Sequence, residues 1–214
     1  QQLAANALER GFLDNQIVPV TIPATKKTPE ILVSKDEHPR PQTTAEALAK
    51  LKVIYEGGVT TAGNASGRND GASALLLMSE EKAAELGLKP MAKIIGMGTA
   101  GADPKTMGLG PVYAVPKALK YAGLTMDDIQ LIELNEAFAA QSLGCIKALG
   151  WEDKMDIINV NGGAIALGHP VGSSGCRILV TLLHEMKKRG LKYGLATLCI
   201  AGGMGQATII EMCE

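Results

Sequence analysis

Aromatic side chains are scarce: Phe, Tyr and Trp make up only 3% of the 214 residues, so a core must be built from Ala, Val, Ile, Leu and Met. Long apolar runs are missing as well. None approaches the roughly 18 residues of a membrane span, and Gln1-Gln2-Leu3 lacks the basic and apolar regions of a secretory signal. Charge of one sign is also lacking. The formal net charge is −1 with Lys and Arg scattered, which leaves no electrostatic footprint for nucleic acid and no basic patch for an anionic membrane. The four cysteines form no C-x-x-C pair, so no metal site is expected, and their wide spacing fits a reducing, cytoplasmic setting better than a disulfide framework. No G-x-x-x-x-G-K-[ST] motif supports a nucleoside triphosphatase.

What is present suits one large domain, or one domain and part of another: 46% of residues are hydrophobic and 20% charged. Leu3, Ala4, Ala7 and Leu8 recur at helical spacing before Gly11. That helix begins at the first residue with no methionine or lead-in, as expected of a fragment, a processed chain or a split subunit. Residues 12–60 are expected to be irregular, with prolines at 19, 23, 29, 39 and 41 and one helix over Thr44–Tyr55.

From Ala72 onward the texture changes. Strand-length runs occur at Ala74–Met78, Ile94-Ile95, Ile129–Leu134, Ile157–Val160, Leu195–Ile200 and Ala207–Met212. Helices are predicted between them: from Ser79 over Glu80–Leu86, over Val115–Tyr121, from an Asn135 cap to Leu149, and from Ser173 or Ser174 through Met186. Thr125 and Asp128 have capping-box spacing. Alternating, almost continuously apolar strands predict an α/β layer covered on both faces. The Gly-rich link from Ala201 to Gln206 is too short for a parallel crossover, so the last two strands pair antiparallel and the sheet is mixed.

Gly96-Met97-Gly98-Thr99-Ala100-Gly101 satisfies G-x-G-x-x-G, but Asp103-Pro104 and Gly108-Leu109-Gly110-Pro111 follow it. A dinucleotide site needs a helix opening at the glycines, so a loop is expected instead. His184 and Cys145 are assigned to helices, the first solvated and the second core. No role is assigned to His38.

Three segments carry chemistry. Asn135-Glu136-Ala137-Phe138-Ala139 follows a strand, where Asn135 also suits a helix cap. Gly162-Gly163-Ala164-Ile165-Ala166-Leu167-Gly168-His169-Pro170 is a glycine-lined loop presenting an imidazole, with Pro170 restricting His169 to extended geometry. Leu198-Cys199-Ile200-Ala201-Gly202-Gly203 ends a strand in a glycine turn, which opens Cys199 to a pocket against the alternative of a buried thiol.

Together, N-E-A-F-A, G-G-A-x-A-L-G-H-P-x-G and C-x-x-G-G-x-G resemble the thiolases, a similarity that extends to Thr61–Gly71 and to Asp36-Glu37-His38-Pro39-Arg40. The resemblance implies a thiolase-like α/β fold: the C-terminal half, with a mixed five-stranded sheet covered by helices, plus part of a loop domain. Residues 1–66 would be the later part of the loop domain, 67–89 the close of the first half, and 90–214 the C-terminal domain. It implies an acyltransferase in fatty acid metabolism that makes or breaks a carbon–carbon bond next to a thioester. Acetyl-CoA and acetoacetyl-CoA would be its substrates, with no further cofactor, and the complete enzyme would be a homo-oligomer.

In that scheme His169 activates a nucleophilic thiol, Cys199 is the second acid/base, and His169 with a water on Asn135 holds the thioester oxygen. A backbone N–H near Ala201 would serve a second oxyanion hole, and Arg40 and Ser66 would bind coenzyme A. Most members have Gly at Ala201, so Ala201 would be strained if a positive φ is required. The family's nucleophilic cysteine lies in an earlier part of the first half, and no cysteine here replaces it, so the chain is expected to be inactive without an N-terminal partner half. Two other readings are a non-catalytic coenzyme A-binding or interaction protein of the same fold, and a ketoacyl synthase, which uses His-His or His-Asn pairs.

Overall fold

The computed structural model describes residues 1–14 and 16–213. Among the described residues seven α-helices and six strands follow in order: α1 (Gln2–Glu9), β1 (Val20–Ile22), β2 (Ile31–Val33), α2 (Ala45–Ala49), α3 (Glu80–Glu85), β3 (Ala92–Gly101), α4 (Gly110–Ala122), β4 (Leu131–Leu134), α5 (Ala139–Leu149), α6 (Ala164–Leu167), α7 (Ser174–Arg189), β5 (Tyr193–Ile200) and β6 (Met204–Met212).

β3 to β6 form one mixed sheet in the order β3-β6-β5-β4, with β5 antiparallel to β6 as the short link requires and parallel to β4. α4 and α5 cover one face, where Val115, Ile132, Leu134, Ile146, Trp151, Leu195 and Ile209 make the larger core. α7 covers the other, packing Ile178, Leu182 and Met186 on Leu131, Ala196 and Ile210. The α/β layer with both faces covered thus stands.

A fifth strand does not form among the described residues. In its place Ile158 makes a single parallel bridge to Ile132. Asn159 then turns to φ +48°, and its side chain takes over the ladder, donating to Leu134 O at 2.7 Å and accepting from the Leu134 N–H at 2.8 Å. An amide side chain has the donor and acceptor of a peptide group, so the β4 edge is satisfied without another strand.

The glycines of the G-x-G-x-x-G pattern lie inside β3, which is longer than Ile94-Ile95 predicts. A Cβ on Gly98 would come 2.3 Å from Ala114 O, and one on Gly96 would come 2.5 Å from Ala118 O. These glycines let α4 lie directly on the strand. α4 itself starts earlier than expected, at Gly110 with Pro111 in its first turn.

Residues 20–33 form a small antiparallel hairpin rather than irregular chain, exposed along both strands. The helix expected over Thr44–Tyr55 stops at Ala49, with Thr44 capping it through Ala47. Ala74–Met78 pairs with no strand among the described residues, and Leu76 is 80% exposed. Its apolar run has the composition of a strand but no sheet edge to join. The Ser79 cap and the Thr125–Asp128 capping box are as expected.

Candidate active site

His169 stands on a turn. α6 ends at Gly168, whose φ of +85° suits glycine, and a Cβ there would lie 2.5 Å from Asn69 Cγ. Asn69 uses that close approach: its Oδ1 accepts the His169 backbone N–H at 3.0 Å. Arg68 and His169 form a single parallel bridge, so the histidine is extended as Pro170 requires.

The imidazole has an assigned tautomer. Ser174 Oγ lies 2.6 Å from His169 Nδ1 and also donates to Pro170 O at 3.1 Å. A hydroxyl has one proton, so when it serves Pro170 the serine accepts from Nδ1–H, leaving the Nε2 lone pair free. Burial, and next the charge of Arg177, hold the His169 pKa below the ordinary histidine value. A neutral imidazole with a free Nε2 is the form a general base needs.

Asn135 faces that nitrogen, its Nδ2 lying 3.5 Å from His169 Nε2. It does not cap a helix. Its backbone N–H donates to Thr197 O at 3.0 Å, continuing the β4–β5 pairing, and α5 starts only at Ala139 after Phe138. Strand pairing prevails because Asn135 still has β5 beside it. Thr197 is two residues before Cys199, so Asn135 touches both the imidazole and the strand bearing the thiol. No hydrogen bond joins His169 and Cys199 directly among the described residues.

Cys199 sits near the end of β5 and is buried, 9% exposed, rather than open among its glycines. Burial raises its pKa above the usual thiol value, opposed by its own backbone N–H. It is therefore a thiol at rest. Ala201 escapes the strain that its replacement of glycine suggests: among the described residues Asn159 is the one non-glycine at positive φ, and the turn's left-handed positions are Gly202 and Gly203.

The loop beneath His169 is held by charged groups. Glu136 Oε2 accepts from the Ile165 N–H at 3.3 Å and Oε1 from Asn159 Nδ2 at 3.2 Å. Gly163 makes room, since a Cβ there would lie 2.3 Å from the Glu136 carboxyl carbon. Arg177 Nη1 donates to Gly168 O at 2.9 Å. α1 closes the other side: Ala4 packs where a Cβ on Gly162 would stand, and Arg10 donates to Asn161 Oδ1 at 2.5 Å.

Of the expected coenzyme A residues, Ser66 lies beside the site, its N–H bonded to Ala137 O at 3.0 Å. Arg40 is exposed, its backbone held by Gln1 Oε1 at 2.8 Å. Among the described residues no group of His, Cys, Asp and Glu is placed to hold a metal ion, and no helix is long and apolar enough to cross a membrane. A surface cavity of about 780 Å³ lies at the far end of α7, lined by Lys93, Lys187, Lys192, Glu211 and Cys213, and holds none of the site residues.

Residues 88–212 match the family described as "Thiolase, C-terminal domain", and residues 1–81 match "Thiolase, N-terminal domain". This chain belongs to the thiolase family. It is 61% identical over 212 residues to an acetyl-CoA acetyltransferase of Syntrophomonas wolfei, covering 99% of this chain and 53% of that protein. It is 52% identical to a beta-ketoadipyl-CoA thiolase of Pseudomonas aeruginosa, with 99% and 52% covered. The crystal structure of the Bacillus anthracis acetyl-CoA acetyltransferase superposes with a TM-score of 0.92 at 51% identity, covering 99% of this chain and 53% of that one. The chain thus spans about half the length of the thiolases it matches.

Several residues around this candidate site escaped the sequence reading. Ser174 was legible only as a helix start, and Arg177 carries no signal of its own in the sequence. Asn69 lay in a quoted tract without a task. His38, left without a role, docks on the loop that carries His169, its Nδ1 lying 2.8 Å from Ala166 O. All four act across 5 to 128 positions of chain or on a backbone atom, which spacing does not reveal.

Proposed function

We propose that this chain supplies the later half of an acetyl-CoA C-acetyltransferase: residues 1–66 from a loop domain, 67–89 closing the first half, and 90–214 the C-terminal domain. The observation that carries the reading is the approach of Asn135 to His169 Nε2, with Asn135 bonded to the strand that bears Cys199. His169 Nε2 takes the proton of a nucleophilic cysteine whose thiolate attacks the thioester carbonyl; donors hold the charged oxygen, and its collapse breaks the bond to coenzyme A, whose departing thiolate takes the proton back from His169. In condensation the Cys199 sulfur removes the α-proton, and the electron pair moves into the thioester oxygen facing His169 and a water on Asn135. The α-carbon then attacks the acyl-cysteine and expels its sulfur. In thiolytic cleavage Cys199 returns its proton to that carbon. A thiol kept protonated by burial is the form that cleavage requires.

None of the four cysteines suits the nucleophile's part. Cys145 lies wholly in the core with its pKa raised to about 11 by burial, and Cys199 has the second acid/base role. Cys176 opens α7, and Cys213 follows β6. The activity therefore requires the other half of the enzyme. Acetyl-CoA and acetoacetyl-CoA are the proposed substrates, bound with Arg40 and Ser66, and Ala201 lends its backbone N–H to the second oxyanion hole. Four free thiols support a cytoplasmic setting.

The test is acetoacetyl-CoA cleavage with free coenzyme A. The 214-residue chain alone is expected to give no turnover, and a separately expressed polypeptide carrying the earlier half should restore it. In that mixture His169→Ala should lower the rate by roughly 10²–10⁴. Turnover at ordinary enzymatic rates by the lone chain, or an unaffected His169→Ala mixture, refutes the scheme. A mixture that binds coenzyme A without turnover supports the non-catalytic reading.

A further inference from the structure

Glu133 is the one charged residue of β4, a strand buried from end to end, and it is 4% exposed. Its Oε1 has no hydrogen-bond partner, and neither does Oδ1 of Asn135, two residues further on. Residues two apart on a strand share a face. That face is the one beneath α7, because Leu131 packs there with Ile178 and Leu182.

α7 brings Arg177 to the same layer. Its guanidinium donates to the carbonyls of Leu167 and Gly168, at 3.4 and 2.9 Å, and interacts electrostatically with the Glu133 carboxyl without closing an ion pair. One cation thus acts on a buried acid and also holds the turn that carries His169. The other charges near Glu133 are Glu136 on its own segment and Glu185 on α7, while β5 places the uncharged Ala196 opposite it. Asp36 acts on Arg177 from the loop region.

We propose that Glu133 is a positioning residue of this site, acting on the His169 imidazole through Arg177 and the Gly168 carbonyl. The inference rests on the proposed function only in treating His169 as the base. Burial first, and then Glu136, raise the Glu133 pKa to about 8, so near neutrality the acid is largely protonated. Arg177 is then left to the turn carbonyls, and its uncompensated charge adds to burial in holding the His169 pKa down. When Glu133 ionises, its charge offsets that of Arg177. His169 then holds a proton more readily, and the guanidinium is drawn from the turn.

The measurement is a pH titration of the ring nitrogens in the ¹⁵N-histidine-labelled 214-residue chain, whose three histidines are assigned with His38→Gln and His184→Gln. His169 should show two steps, one of its own below the ordinary histidine range and a second near pH 8 as Glu133 ionises. Glu133→Gln should abolish the second step and keep the first. Arg177→Met should raise the first step and shrink the second, an effect that a merely structural glutamate would not have. If Glu133→Gln does not fold, ¹³C-labelled glutamate in the unsubstituted chain gives the carboxyl midpoint directly, which must coincide with the second step. A single-step His169, a second step surviving in Glu133→Gln, or midpoints that disagree overturns the proposal. Turnover is not measured, so this failure is distinct from failure of the proposed function.

Discussion

Residues 92–212 and residues 18–78 belong to one chain but satisfy their apolar side chains differently. In the first region Leu131, Leu195 and Ile209 are wholly buried between a sheet and its helices. In the second, Val18, Val20, Leu32, Val59, Leu76 and Leu77 are exposed, and the β1–β2 hairpin has no buried residue. The presence of apolar runs does not distinguish the regions, since both carry Val, Ile and Leu in strand-length stretches. The difference lies in whether a second layer is present to cover them. α1 marks the contrast: although it precedes the exposed region, its Ala4 and Ala7 are fully buried and it packs on the loop of His169.

The largest expected effect is in amide exchange. Opening free energies in one protein range from near zero to the global stability, so the contrast predicts exchange at Leu76 and Leu77 faster than at Leu195 and Ile209 by roughly a thousandfold or more. Comparable protection in both segments would show that the exposed run is covered in solution, and the two-region description would fail. α1 should exchange with the protected group.

Stability sharpens the comparison next. Glu185 is 1% exposed and joins three elements, accepting from Asn161 Nδ2 at 3.0 Å and from Arg189 Nε at 2.5 Å, while Asn161 is held by Arg10. Removing Glu185 leaves the buried Asn161 amide unpaired, whereas Arg189, 38% exposed, can turn to solvent, so the cost is about 1–3 kcal/mol. Glu185→Ala should lower the urea midpoint accordingly with an unchanged slope. A loss confined to α1, seen as lost protection there alone, would instead make that cluster a local clamp.

Much of this contrast was legible in the sequence. The antiparallel β5–β6 pair followed from a short Gly-rich link, and the two-faced core from uninterrupted apolar runs. What escaped was tertiary substitution. Asn159 does a strand's hydrogen bonding with a side chain, so Ile157–Val160 reads as a strand and is not one. Gly96 and Gly98 mimic a phosphate loop because helix–strand contact requires the same small residue. Asn135 has a cap's composition, but a free position beside β5 decides its fate. His169, Cys199 and Asn135 were legible together through the thiolase-like motifs around them, since Asn135 alone reads as a helix cap and Cys199 alone as a buried thiol. Ser174, Arg177 and Glu133 were not, since each acts through another group.

The smallest expected effect is the most discriminating. Leu76 and Leu77 are 80% and 68% exposed, so Leu76→Ser and Leu77→Ser remove little buried area and should change unfolding free energy by no more than about 0.5 kcal/mol. Leu131→Ala, the same residue type in β4, leaves a cavity among Ile178, Leu182 and Ala196 and should cost about 2–5 kcal/mol. The serine variants should also remain monodisperse at higher concentration, because an exposed apolar run is a site of self-association. The decisive measurement repeats both series with the polypeptide that supplies the earlier half. If that half covers residues 74–78, Leu76→Ser becomes costly in the mixture while Leu131→Ala keeps its value. If Leu76→Ser stays neutral there, the run is surface in the complete enzyme too, and its strand-like composition has another cause.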